Sequence, residues 1–513
     1  MNKPMSSIRR WGRLKTFIAV AAAAFAVFSA RADDGVTNQT KSLTLRECIE
    51  RSLENNLEIK YQRITPTIQT WGVMGAQGVY DPNLTGSLYD FGTVTPLLGQ
   101  SSAEDRTKEW QVNAGLNGKL PTGATYDFSA FSSHQWGNVF LSSASVPVTN
   151  IDQTSGNAGV TLTQPLLKNF GFGVNAATIR IARENRTIAI QNFVQFVMNT
   201  ISNVATAYYE LVYAIENHKA AVENRELARE LLDQNRIQER VGTMSPLDVI
   251  QAEAGVAESE QGVITTARAI KDNENTLKRL ICQQVSEFGS ATLVPVDYPP
   301  VEMVALDVAE STHRALQMRA DYQSAYHALE SQNITVQFNR NQLWPEIDLA
   351  GTYGFNGIGR QFDSFYDNLT STRSPYWNVG VVVSVPLGNR QARANYHMAK
   401  LDADQALLNL KSLEQNIVVA VDDAVGHVET NLKSVEAARA ATRLAQESLD
   451  AEKKKLLAGT STTFLVLQAQ TQLETTRVAQ IRAEADYHES LVALDVAEGT
   501  ILDKNNIALD EKY

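Results

Sequence analysis

Seven histidines, two cysteines and a few short glycine patterns are the residues of this 513-residue chain whose chemistry could serve catalysis or metal binding. His134, His218, His313, His327, His397, His427 and His488 show no metal-ligand spacing. His218 falls in an apolar seam, where a hydrogen-bonded packing role is expected rather than ligation. Gly118-Lys119 lacks the preceding glycine and following Ser/Thr of a phosphate loop, and Gly171-Phe172-Gly173 lacks the third glycine of a dinucleotide fingerprint. The latter reads as a hinge from strand to helix. No Gly-x-Ser-x-Gly elbow occurs. Two thiols, Cys48 and Cys282, cannot make a disulfide framework; small buried apolar residues are the favoured reading, with a bridge between them left open. The run Lys453-Lys454-Lys455 suits a solvated helix C-terminus better than an anion site. The expectation is a protein that is not an enzyme and holds neither cofactor nor metal.

The elements that position these residues begin with a leader. Lys3, Arg9, Arg10, Arg13 and Lys15 precede an apolar run from Phe17 to Phe28, and Ala30-Arg31-Ala32 is a cleavage signature, so residues 1–32 read as a secretory signal peptide. The run is too short for a retained membrane anchor, and no cysteine follows the cut to carry a lipid. Lys+Arg 46 against Asp+Glu 57 gives −11, a balance that argues against nucleic acid as a partner. Hydrophobic residues at 43% and charged ones at 20% exclude both a disordered chain and a multi-span helical membrane protein. An exported chain without a later long apolar run either floats free or enters a membrane as β-barrel strands.

Proline and glycine divide the remainder. None occurs between Val174 and Val241, where Ile190, Val194, Val197, Ile201, Val204 and Tyr208 alternate steps of four and three, the rhythm of a coiled-coil seam. Ile417, Val421, Val425, Val428, Leu432 and Val435 repeat it. Residues 80–172 and 344–387 hold 19 of the 39 aromatic residues, and there the period is two. Trp110, Val112, Ala114 and Leu116 alternate with Gln111, Asn113, Gly115 and Asn117; past the turn Leu120-Pro121-Thr122-Gly123, Tyr126, Phe128 and Ala130 alternate with polar residues. Such alternation with aromatic ends suits membrane barrel strands, although a soluble hairpin with one wet face would share it.

The chain also repeats internally. Pro82 and Pro345 lie 263 apart, Pro165 and Pro386 lie 221 apart, and Gly242 and Gly459 lie 217 apart. The fall from 263 to 221 places 42 extra residues between Pro82 and Pro165, room for one more hairpin. The resulting plan has an N-terminal segment 33–57 opened by a Thr44/Glu47 capping box. Repeat 1 spans 58–282, with strands about 83–165, a long helix 174–240, a tip turn 241–245 and a helix 245–281. A linker 283–312 follows. Repeat 2 spans 313–502, with a helix 313–341, strands about 346–386, a long helix 391–457, a tip turn 458–462 and a helix 463–502. A tail 503–513 ends the chain. At 1.5 Å per residue each long helix is ~100 Å, and the two shorter helices of each half, end to end, reach about the same length. Each half thus places two stacked helices beside one long helix.

Leu43-Thr44-Leu45-Arg46-Glu47-Cys48-Ile49-Glu50-Arg51-Ser52-Leu53, Thr163-Gln164-Pro165-Leu166-Leu167, Ala315-Leu316-Gln317-Met318-Arg319-Ala320-Asp321 and both glycine turns resemble the TolC-like outer membrane efflux protein family, in family order across the mature chain. The resemblance implies a mainly α fold with a membrane β-barrel: a homotrimer whose long coiled-coil helices form a periplasmic α-barrel joined to one shared outer-membrane barrel. It implies localisation in the bacterial outer membrane, contact with its lipid, and docking to a periplasmic membrane-fusion adaptor and an inner-membrane pump, in drug efflux or type I secretion. Family members usually contribute four strands each, and the added residues suggest more here. Where the best-known member has a latch arginine two residues after its second turn glycine and acids six and nine after it, this chain has Ser461, Leu465 and Gln468.

Two sites follow from that likeness. Gly242, Thr243 and Ser245, with Gly459, Thr460 and Ser461, would form the adaptor-docking tips, since exposed helix hairpins offer a groove to a partner hairpin. Leu465 and Gln468 would line an uncharged periplasmic constriction, with Asp248 of the first repeat as the rival acidic ring. A secreted or periplasmic coiled-coil scaffold without channel activity is the alternative.

Overall fold

The computed structural model describes residues 40–96, 104–139, 149–284, 291–298 and 300–509. The expected leader 1–32, parts of the segments 33–57 and 283–312, and the end of the tail lie outside them. In chain order the elements are β1 (Thr40–Leu43), α1 (Leu45–Asn55), α2 (Leu57–Gln77), β2 (Asn83–Pro96), β3 (Glu104–Lys119), β4 (Thr125–Val139), β5 (Thr149–Pro165), α3 (Ala177–Val241), α4 (Pro246–Ile281), β6 (Thr292–Pro295), α5 (Val308–Met318), α6 (Ala320–Asn341), β7 (Glu346–Gly359), α7 (Phe362–Thr370), β8 (Pro375–Ser384), α8 (Arg390–Leu457) and α9 (Thr463–Glu498). The long helices α3 and α8 have 65 and 68 residues, ~100 Å each.

Several boundaries differ from the pattern reading. The expected helix 313–341 is two helices that begin earlier, because Asp307 caps α5 by accepting from Ala309 N at 2.9 Å and the chain is extended at Arg319. The Arg319 guanidinium grips Asp321 at 2.7 Å and donates to Ala497 O at 3.2 Å. Gly499, at φ +76, packs where a side chain would meet Met318 and Arg319, and it ends α9 at Glu498 rather than at 502. The long helix expected from 174 starts at Ala177, after a single helical turn at Phe172–Asn175. Between β7 and β8, within the stretch read as strands about 346–386, stands the short helix α7.

The chain divides into two compact units. One comprises Met1–Asn56, Val204–Pro300 and Arg439–Ala485. Here β1 and β6 pair in parallel, Thr40 opposite Thr292 and Leu43 opposite Pro295. Cys48, Tyr208, Leu277, Ile281 and Leu293 are buried. Tyr208 Oη bonds Leu43 O and Asp297 O and accepts from Asp297 N at 3.0 Å, while the Asn56 amide donates to Leu280 O at 3.0 Å. A buried Glu274 accepts from Leu293 N, and its neighbour Lys278 reaches Ala291 O at 2.7 Å, so neither charge lacks compensation.

The other unit comprises Leu57–Asn203, Val301–Ala438 and Asp486–Tyr513. Its six-stranded antiparallel sheet has the order β2-β3-β4-β5-β7-β8, so the added residues of repeat 1 make a full hairpin, and among the described residues this sheet has six strands where the resemblance implies four. The β3–β4 turn is fastened at the helix end of the sheet. Thr122 O accepts from Gly171 N at 3.0 Å, and Gly123 at φ +96 passes so close to Asn169 O that no side chain fits. Asn169 in turn donates its N–H to Asn341 Oδ1 at 2.7 Å and accepts from Gln342 at 2.8 Å, while Asn175 closes the strand-to-helix hinge on Asn169 O and Gly171 O. A buried Glu498 carboxylate, held by Ser311 at 2.5 Å and Arg314 at 3.0 Å, fixes α5 to the end of α9.

Candidate functional site

Both tips are built the same way from the glycine outward. Gly242 and Gly459 take φ +82 and +75, which lets the next residue turn back on the helix. Thr243 N–H donates to Gln238 O and Thr460 N–H to Lys455 O, each at 2.9 Å, and the two threonine hydroxyls return to the same carbonyls at 3.1 and 3.2 Å. Gly242 and Thr243 are exposed, as are Gly459 and Thr460.

After the first turn Ser245 caps α4 in a reciprocal box with Asp248, whose carboxylate accepts from Ser245 N at 3.3 Å and Oγ at 2.9 Å. The candidate acid is thus occupied as a helix cap on its own element. After the second turn Ser461 Oγ donates to Glu452 at 3.0 Å. Lys455, at 2.9 Å, together with Ser461 holds that carboxyl below the usual range. Leu465 and Gln468 lie one helical turn apart on α9, Leu465 at 40% exposure and Gln468 exposed, beside Phe464 at 61%.

Asn235 was not anticipated. It is fully buried, and its Nδ2 donates to Asp248 O at 3.2 Å and to Thr463 Oγ1 at 3.1 Å, joining the end of α3 to the starts of α4 and α9. Its sequence signal was a polar residue four after Leu231 in an otherwise apolar seam. Leu231, Leu449, Leu456 and Val466 belong to one buried apolar cluster, and Leu232 and Val249 to another.

The sheet has two unlike faces. One register row reads Leu84, Leu116, Phe128, Val160, Tyr353 and Trp377 across all six strands. Leu84 is 84% exposed and Trp377 73%. The opposite face carries polar pairs: Asn113 donates to Ser87 at 3.0 Å, Thr161 meets Thr352 at 3.0 Å, and Glu109 accepts from Ser133 at 2.5 Å and Gln111 at 2.7 Å. An exposed apolar face opposite a polar one is unlike a sheet that meets water on its exposed side. His218 donates to or accepts from Thr266 at 2.9 Å, the packing role expected of it, and no metal-binding group of three or more residues occurs among the described residues.

The chain matches the family "Outer membrane efflux protein" over residues 125–283 and 312–500. The first match opens at the first residue of β4, leaving β2 and β3 outside it. It is 25% identical to the outer membrane efflux protein BepC of Brucella suis over 79% of this chain and 88% of that one, and 22% identical to the outer membrane protein TolC of Escherichia coli over 60% and 63%. In fold it is similar to the outer-membrane channel OprN, with a TM-score of 0.67 at 17% identity, covering 92% of this chain and 95% of that one. It is also similar to the Campylobacter jejuni CmeC channel, with a TM-score of 0.64 at 17% identity over 94% and 95%. With more than half of its length matched and the same mainly helical channel fold, the chain belongs to the outer membrane efflux protein family, transport proteins of the outer membrane and not enzymes.

Proposed function

We propose that this chain is the exit duct of a tripartite efflux or type I secretion system, a homotrimer that passively conducts substrates from a periplasmic adaptor and inner-membrane pump to the exterior. The observation that carries the reading is the six-stranded sheet with one apolar face, one polar face and two open edges, β2 and β8. In lipid an open edge leaves N–H and C=O groups without partners, which only closure into a barrel removes. Three copies of a six-stranded sheet, each β8 paired with the next copy's β2, close into one 18-stranded barrel with Ser87, Asn113 and Glu109 facing its lumen. Such a barrel is wider than the twelve strands that four per chain would supply.

The two glycine turns dock the adaptor, and Leu465 with Gln468 narrows the passage by bulk and partial dewetting rather than by charge. The same tips would serve the rival reading, a coiled-coil scaffold, but a scaffold has no use for a sheet whose exposed face is apolar. Extraction of the outer membrane tests this. Heat-modifiable trimers that carry ionic current in planar bilayers support the duct, and soluble monomers from the periplasm refute it.

A further inference from the structure

The hairpin β7–β8 carries a helix on the apolar side of the sheet. In α7, Phe365 and Leu369 stand one turn apart and press onto Gly357, where an added Cβ would lie 3.0 Å from both side chains. Gly357 shares its side of β7 with Tyr353 and Phe355, because side chains alternate along a strand. It is therefore the apolar face that α7 covers. Phe365 is 3% exposed, and the Asn368 amide donates to Ile358 O at 2.7 Å, so the helix is fastened to the strand it follows.

Two more aromatic residues flank Phe365 and Leu369 on the same face of α7, and the far side carries Asp363 and Asp367. Phe362 and Tyr366 stack at 6.4 Å and are 64% and 55% exposed. Arg360 and Arg373, both exposed, stand just before and just after the helix. Gly359, at the end of β7, shares a register row with Thr154, His134 and Trp110. On that part of the apolar face Trp136 stacks on His134 at 5.2 Å and meets Trp110 edge-on at 5.9 Å. Tyr126 lies ten residues back along β4, near the helix end of the sheet. Ten residues are ~33 Å of strand, or about 25 Å of height at a barrel's usual tilt, the height of an apolar band between two aromatic girdles. The row that α7 covers therefore lies at the outer girdle.

We infer that α7 is an interfacial helix bound to outer-leaflet lipid, with Phe362 and Tyr366 against acyl chains and Arg360 and Arg373 within reach of headgroup phosphates. This rests on the reading of the sheet as a membrane barrel and adds to it a contact made by a loop element. Bound this way, the helix ties the β7–β8 hairpin to the membrane surface.

The test places photoreactive benzoyl-phenylalanine at position 362 or 366 of the full chain, reconstituted in phosphatidylethanolamine–phosphatidylglycerol vesicles. Position 379, on the apolar face, is the membrane reference, and position 113, on the polar face, the aqueous one. Lipid adducts at 362 and 366 are expected at the yield of 379 and about ten-fold above 113. Yields as low as at 113, with 379 still labelled by lipid, overturn the inference and leave the barrel standing. Adducts from 362 or 366 to a second chain overturn it too, by assigning the surface to contact between copies. Failure of 379 itself to take up lipid would sink the barrel reading together with this one.

Discussion

Asn235 Nδ2 donates to Thr463 Oγ1 at 3.1 Å, with both residues at 0% exposure, so the first-repeat tip and the second-repeat tip are joined by one buried polar contact. Replacing Asn235 with Ala leaves the Thr463 hydroxyl and Asp248 carbonyl without that donor, at a cost of about 1–3 kcal/mol. Amide exchange in the first turns of α4 and α9 should quicken accordingly, while exchange around β1 and β6 stays as it was. Unchanged exchange at both helix starts would show the contact to be dispensable.

The docking assignment stands on exposed turns whose threonine hydroxyls face their own helices. Thr243→Arg together with Thr460→Arg should abolish crosslinking to the adaptor and leave trimers intact. The glycines retain the left-handed backbone on which the turns depend. Full crosslinking by the doubly substituted chain would place the adaptor elsewhere.

Asp248 is already held by Ser245, and the constriction is assigned to Leu465 and Gln468. A trivalent cation added on the periplasmic side of a planar bilayer should therefore block the current only weakly. Tight block that vanishes with Asp248→Asn would move the constriction to the first repeat. Tight block that survives the substitution would require other acids.

Burial, with Glu47 adding to it, pushes the Cys48 thiol up from 9.0 to about 12, and burial pushes the nearby Tyr208 hydroxyl up to about 12 as well. Both groups keep their protons in the fold at a pH where the unfolded chain releases them. Stability of this unit should then be undiminished below pH 9 and fall as pH rises from 9 toward 12. Alkaline melting should show that slope, and Cys48→Ala should flatten it. In the native protein at neutral pH, alkylation of Cys48 should be far slower than after denaturation.

Legibility followed the length of the pattern. The rhythm from Ile190 to Tyr208, in a stretch free of Gly and Pro, left α3 no other structure to adopt, and the capping box at Thr44 marks its helix start in composition alone. The extra hairpin was legible as 42 residues and a Pro-Thr-Gly turn. The break at Arg319 was not, because it is imposed by a distant partner, Ala497 O, and by the close approach of Gly499. Nor was α7, which spans only nine residues between two runs of period two. At the tips the turn glycines were readable one by one, whereas Asn235 acquires its role from Thr463, 228 residues away.

Single-particle imaging of the protein extracted from outer membranes tests the central claim most directly, because it counts both chains and strands. The account predicts three chains around one closed barrel of eighteen strands, with β8 of each chain paired to β2 of the next and the polar face turned to the lumen. A sheet that closes on itself within one chain, or a three-chain assembly whose β2 and β8 edges stay unpaired, would contradict it.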